Sequence, residues 1–301
     1  MKIFKNYLKT QHYKTRTINE HCLNIERFIK WFGSADEQEL AQLSVAKLVE
    51  YINVLQAKEL AAETINLQLR SIRKYYRYLE SEGYVIPKIE NVKVKGTTKK
   101  VIIDPLEYSD LEQLYKDYSA YKKQQIAKLK QARLLRASKT CSSTALKRKV
   151  MLGFMVFQGL HSGELKRLEI NHINNEDVTV YIMGSGKSKA RQLGLQPLQM
   201  EALFIYLGSC PDNQPKLLTG NLNNQVSDLF QELKGLNQKV QNSLHIRASI
   251  ILHWLQLHGK RQVQYMIGHK WISSTEHYEL QNLETLTDLL TEHHPQALKA
   301  Y

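Results

Sequence analysis

Apolar residues in this 301-residue chain recur mostly at helical spacing, a periodicity that restricts the fold to helices packed on helices. From 15 to about 32 the stripe is Ile18, Cys22, Ile25, Phe28, Ile29 and Phe32, and Gly33-Ser34 ends it. Two further helices are predicted, over 45 to about 58 and over 62 to about 82. The second carries Ile65, Leu69, Ile72, Tyr75, Tyr76 and Leu79 on one face and stops at Gly83 and Pro87. Helices are also predicted over 110–118, 150–157, 198–207, 223–236, 244–257, 263–267 and 283–290. Residues 178–182 depart from this period: Val178-Thr179-Val180-Tyr181-Ile182 alternates, Gly184-Ser185-Gly186 follows, and Lys187-Ser188-Lys189-Ala190-Arg191-Gln192-Leu193 comes next. That order predicts a strand, a tight basic turn and a second strand. The fold class expected is mainly α, mixed only by a small β-hairpin or sheet.

With 43% hydrophobic residues the chain can bury folded cores, and its length suits two of them. The expected division is a helical unit over 1–87, a basic linker over 88–105 and a second, mostly helical domain over 106–301. A balance of 42 Lys+Arg against 29 Asp+Glu, net +13, favours a polyanionic partner, because cationic surfaces gain affinity by releasing the counterions condensed on nucleic acid. Charge alone leaves RNA and membrane surfaces open. The bias is steepest from Tyr121 to Val150, which holds ten Lys or Arg and no acid. Lys122, Lys123, Lys128, Lys130, Arg133 and Arg136 in that run are read as contacts to DNA, as are Arg70, Arg73 and Lys74 in the amino-terminal helices. Cys22, Cys141 and Cys210 lie far apart without a CxxC pair, which argues against a disulfide framework or a zinc site. No apolar run approaches the roughly 18 residues of a membrane span, and a soluble protein of the cytoplasm is expected.

Candidate chemistry gathers near the end of the chain. Arg247 lies in Leu244-His245-Ile246-Arg247-Ala248-Ser249, His269 follows Gly268, and Tyr278 comes nine residues later, after Ile272-Ser273-Ser274-Thr275. A guanidinium to offset phosphate charge, an imidazole to handle a proton and a phenol to attack are the parts a phosphodiester enzyme needs. Among 11 histidines and 16 tyrosines, order and spacing single out this pair.

These segments resemble the tyrosine recombinases, the family of phage integrases and Xer-type resolvases. The amino-terminal layout is similar to that family's core-binding, SAM-like domain, with echoes in Thr17-Ile18-Asn19 and Thr64-Ile65-Asn66. The resemblance implies a site-specific recombinase in which Tyr278 forms a 3′-phosphotyrosyl link and Arg247 grips the scissile phosphate. In the same scheme His269 assists, and a lysine of the basic turn protonates the leaving 5′ oxygen. Lys187 and Lys189 compete for that last role, with Lys187 preferred as nearest the apex; Lys189 and Arg191 otherwise read as DNA contacts. No cofactor or metal is implied. Double-stranded DNA is the partner, bound by a homo-tetramer on paired sites in a bacterial cytoplasm, with accessory DNA-bending proteins and a carboxy-terminal element from 283 to 301 exchanged between neighbours.

Two positions depart from the family pattern. In Gly159-Leu160-His161-Ser162-Gly163-Glu164-Leu165, His161 stands where the family has its first arginine, and Arg167 or Arg191 is a candidate to fill the gap. The family's histidine three residues before the arginine is Leu244 here. His245 is one residue later, rotated by about 100° on a helix. These departures motivate a rival reading, a DNA-binding homologue with weak or absent cleavage; a type IB topoisomerase-like relaxing enzyme is the other.

Overall fold

The computed structural model describes residues 1–96, 104–186 and 188–279. The chain divides into two compact units, Met1–Lys100 and Val101–Tyr301.

The first unit comprises α1 (Lys2–Thr10), α2 (Thr15–Phe32), α3 (Glu37–Ala41), α4 (Val45–Ala57) and α5 (Ala62–Ser81). The stripes on α2 and α5 face one another: Ile18, Ile25 and Phe28 bury with Ile65, Leu69, Ile72, Tyr75 and Leu79. Helix α1, which the sequence reading did not anticipate, adds Phe4 and Leu8 one turn apart, and the Phe4 ring meets Tyr75 edge to face at 5.1 Å. Ser44 caps α4 by accepting from the Lys47 amide at 3.1 Å.

In the second unit α6 (Tyr108–Gln131) and α7 (Leu135–Phe157) form a long helical pair, so both are far longer than the 110–118 and 150–157 segments expected. The short α8 (Ser162–Leu165) leads to a three-stranded antiparallel sheet, β1 (Ile173–Asn174), β2 (Thr179–Ile182) and β3 (Arg191–Gly194) in that order. The unit continues through α9 (Pro197–Gly208), α10 (Leu222–Leu236), α11 (Ser243–Leu257) and α12 (Lys260–Ile267), and residues 273–279 are again helical. The expected hairpin is present, with β1 as an added strand. Register pairs Val180 with Leu193 and Ile182 with Arg191. Residues directly opposite share a face, so Arg191 lies on the side that buries Val180 and Ile182. That register delivers a cation to the interior. The core beneath is built from α7, α11 and α12, where Met151, Phe154, Met155, Ile246, Ile250, Val263 and Ile267 are buried.

Candidate active site

Helix α11 places Arg247. Its start is fixed by Asn242, whose Oδ1 accepts from the amides of Leu244 at 2.9 Å and His245 at 3.0 Å. The Arg247 side chain is only 8% exposed. Nη1 donates to Glu164 Oε2 at 3.1 Å and to the Gly159 carbonyl, and Nη2 donates to the Ile267 carbonyl at 2.8 Å. Burial pulls the guanidinium's pKa down, and the Glu164 carboxylate opposes that pull.

Glu164 is the hub of the site. Its second oxygen, Oε1, accepts from Arg191 Nη1 at 2.7 Å, so one buried carboxylate bridges two guanidiniums. Burial works to raise its pKa, but the hydrogen bond from Arg191 and the charges of Arg191 and Arg247 overcome it, holding the carboxyl below its ordinary range. Arg191 also donates through Nε to the Met266 carbonyl at 2.7 Å, next to the turn that carries His269. Gly268 at that turn has φ +75°, and a Cβ there would lie 2.3 Å from Arg191 Nη1, so both backbone conformation and space require glycine.

His161 does not imitate an arginine. It is the N-cap of α8: Nδ1 accepts from the Gly163 amide at 2.9 Å, while its own amide donates to Glu164 Oε2 at 3.2 Å. The imidazole folds over Gly163, where a Cβ would come within 2.8 Å of its ring. Nε2 is 3.7 Å from Glu164 Oε2. Burial lowers its pKa, Glu164 opposes, and Arg247, Arg167 and Arg191 add to the lowering, which leaves the ring uncharged near neutral pH.

His269 is held at both backbone and ring. Its amide donates to the Gln264 carbonyl at 3.0 Å, it bridges to Ser188, and Nδ1 shares a hydrogen bond of 2.9 Å with the buried Thr275 hydroxyl. Burial, then Arg247 and Arg191, bring its pKa down to about 4. The Tyr278 ring lies nearly parallel to this imidazole, 14° between planes and 6.0 Å between centroids. Burial raises the pKa of the phenol and the nearby Arg247 counteracts it. His161, Arg247, His269 and Tyr278 are therefore joined by one set of contacts through Glu164 and the Gly268 turn.

The remaining candidates are placed differently. Lys187 lies outside the described residues. Lys189 is exposed, with its amide donating to the Gly268 carbonyl at 2.9 Å. His245 turns away from the phosphate candidates: Nε2 donates to the Asp104 carbonyl at 2.7 Å and Nδ1 accepts from the Gln241 amide, so both nitrogens tie down backbone. Three cations expected on DNA face inward or onto the chain. Lys122 is 7% exposed and pairs with Glu232 at 2.5 Å, Arg191 is buried on Glu164, and Arg73 donates to the Glu90 and Val92 carbonyls at 2.8 and 3.3 Å. Arg70, Lys123, Lys128, Lys130, Arg133 and Arg136 are exposed, while Lys74 is partly buried and lies over the Tyr13 ring at 5.2 Å.

Sequence reasoning did not assign Glu164, Gly163 or Thr275 a role. Glu164 had a legible signal as the one acid among apolar and small residues between Gly159 and Leu165. Thr275 had none, since its partner is six residues away across a turn.

Residues 1–84 match the phage integrase, N-terminal SAM-like domain, and residues 124–284 match the phage integrase family. The tyrosine recombinase XerC of Bacillus subtilis (strain 168) is 24% identical over 327 residues, covering 99% of this chain and 97% of that protein. The XerC of Escherichia coli O157:H7 is 27% identical over 163 residues, 51% of this chain and 55% of that protein. Among solved structures, the XerH site-specific recombinase bound to difH substrate in a pre-cleavage complex superposes with a TM-score of 0.65 at 18% identity, covering 87% of this chain and 76% of that one. A lambda integrase dimer bound to a COC′ core site gives 0.61 at 13% identity, covering 92% and 93%. A family match over more than half of the chain, on the residues that build this site, makes the protein a member of the phage integrase family, the tyrosine recombinases.

Proposed function

We propose that the protein cleaves and rejoins duplex DNA at specific sites through a 3′-phosphotyrosyl link on Tyr278. The observation that carries this reading is the Tyr278 ring lying flat beside His269, with Arg247 near enough to favour its phenolate against burial. In the step, Tyr278 Oη bonds to phosphorus as the bond from phosphorus to the 5′ oxygen breaks. His269 accepts the phenolic proton and the leaving 5′ oxygen takes a proton from Lys187 or Lys189; the free 5′-hydroxyl of a partner duplex later attacks the phosphotyrosine, expelling Tyr278 Oη and completing the exchange. His269, uncharged at neutral pH, suits a hydrogen-bonding and proton-accepting role, and the buried Thr275 hydroxyl fixes its ring. Arg247 and Arg191 share one carboxylate, so the site keeps a net positive charge for the phosphate. Exposed Arg70, Lys123, Lys128, Lys130, Arg133 and Arg136 suit a DNA surface, and a tetramer on paired sites within a bacterial cytoplasm completes the reading.

A library of nicked suicide duplexes of random sequence, selected for denaturant-resistant attachment to protein, tests this. The expected result is a covalent adduct that disappears in Tyr278→Phe; no adduct at all, or one that persists in that variant, overturns it. The use of His161 as a helix cap favours the second reading, a DNA-binding homologue with little cleavage, for which duplexes are retained but never covalently.

A further inference from the structure

We propose that Arg191 supplies the second fixed positive charge of the active site, standing in for the family arginine that His161 replaces. The inference rests on the reading of Tyr278 as the nucleophile.

Two guanidiniums and one carboxylate are buried together here. Glu164, 1% exposed, neutralises one guanidinium, and a pair of Arg247 and Glu164 alone would present no net charge to a phosphate. His161 does not restore it, because its Nδ1 is spent as an acceptor on the Gly163 amide and cannot also hold a proton. Arg191 does. It is 2% exposed, bound to Glu164 Oε1 through Nη1 and to the Met266 carbonyl through Nε, and it lies against Gly268, the residue before His269. Nη2 has no hydrogen-bond partner among the described residues. A buried donor left open in this way is costly unless another group uses it, and a scissile phosphate bound beside Arg247 would supply one. Arg167, the other arginine near His161, also has a buried Nε and Nη2 without a partner among the described residues, but it forms no ion pair with Glu164 there, so only Arg191 shares the carboxylate that holds Arg247. The charge of Arg191 also acts on His269, helping to keep that ring unprotonated. Arg191 is thus a positioning residue for the Gly268–His269 turn and a source of field at the scissile phosphate.

The test compares Arg191→Met and Arg191→Lys with the full-length protein on two suicide duplexes, one with an ordinary scissile phosphate and one with a methylphosphonate there. The methylphosphonate lacks the charge that Arg191 is inferred to offset. The expected loss for Arg191→Met is about 100-fold on phosphate and less than about ten-fold on methylphosphonate, while Arg191→Lys stays within about ten-fold of the parent on both. Equal losses on the two substrates, or a lysine variant as impaired as the methionine one, assign Arg191 a purely structural role and overturn the proposal. If Arg191→Met does not fold, the lysine variant alone decides: within about ten-fold supports the proposal, and a loss of about 100-fold overturns it. Nuclear magnetic resonance titration of His269 separates this from failure of the recombinase reading. A parent protein that forms no adduct, but whose His269 pKa rises in Arg191→Met and not in Arg191→Lys, loses the cleavage assignment and keeps the charge assignment. An unchanged His269 pKa in Arg191→Met in that case sinks both.

Discussion

At the scale of the residue, the candidate site holds imidazoles whose pKa values burial and nearby guanidiniums lower. His269 has a pKa of about 4 against an ordinary 6.5, so on acidification the unfolded chain takes up this proton before the folded one does. The stability due to the neutral ring is complete above about 6.5 and is lost as pH falls toward 4; His161 and His21, also lowered, act in the same direction. The melting temperature is therefore expected to drop across that window, with the slope reduced in His269→Gln; a flat profile in the parent contradicts it. Tyr278, Arg247 and His269 were singled out by their order and spacing, and the structure brings them close together. The work of Arg191 was legible only in part. Arg191, Leu193 and Leu195 alternate with Gln192 and Gly194, which places the arginine on the apolar face, yet a basic turn invites reading every cation as a solvent-facing one.

At the scale of the element, the helical pair α6 and α7 shows where periodicity runs out. Residues 119–131 and 135–149 lack a continuous apolar stripe, and they are helical because Ala, Leu, Lys, Gln and Arg favour helix and because ion pairs tie both helices to α10. Lys122 from α6 and Arg148 from α7 meet Glu232 of α10 at 2.5 and 2.8 Å, and Arg148 also reaches Asp228 at 2.6 Å. Removing one member of such a pair usually costs about 3–5 kcal/mol. Lys122→Met should cost nearer ~2 kcal/mol, because Arg148 still covers Glu232, and chemical denaturation reads the difference. A loss below about 0.5 kcal/mol would mean that Lys122 is free to meet DNA after all. Helix α1 was missed for a simpler reason: Phe4 and Leu8 are too few to stand out as a stripe until α2 and α5 cover them.

At the scale of the whole molecule, the excess of cations divides into two populations with different work. Lys122, Arg148, Arg191 and Arg247 are buried or nearly so and hold acids, whereas Lys123, Lys128, Lys130, Arg133 and Arg136 are exposed. Replacing Lys123, Lys128 and Lys130 together should lower the slope of log affinity for duplex against log salt by about 0.9 for each phosphate no longer neutralised, with stability unchanged. An unaltered slope would take that surface off the DNA. The sequence by itself determined a mainly helical chain with one hairpin, a basic character and the family to which it belongs, because periodicity, net charge and short motifs are local properties. Only the tertiary structure decided which cations gather around Glu164, which tie helices together and which face solvent. Those roles depend on partners 27 to 110 residues away, as in Arg191 with Glu164 and Lys122 with Glu232, and such pairings leave no periodic trace along the chain.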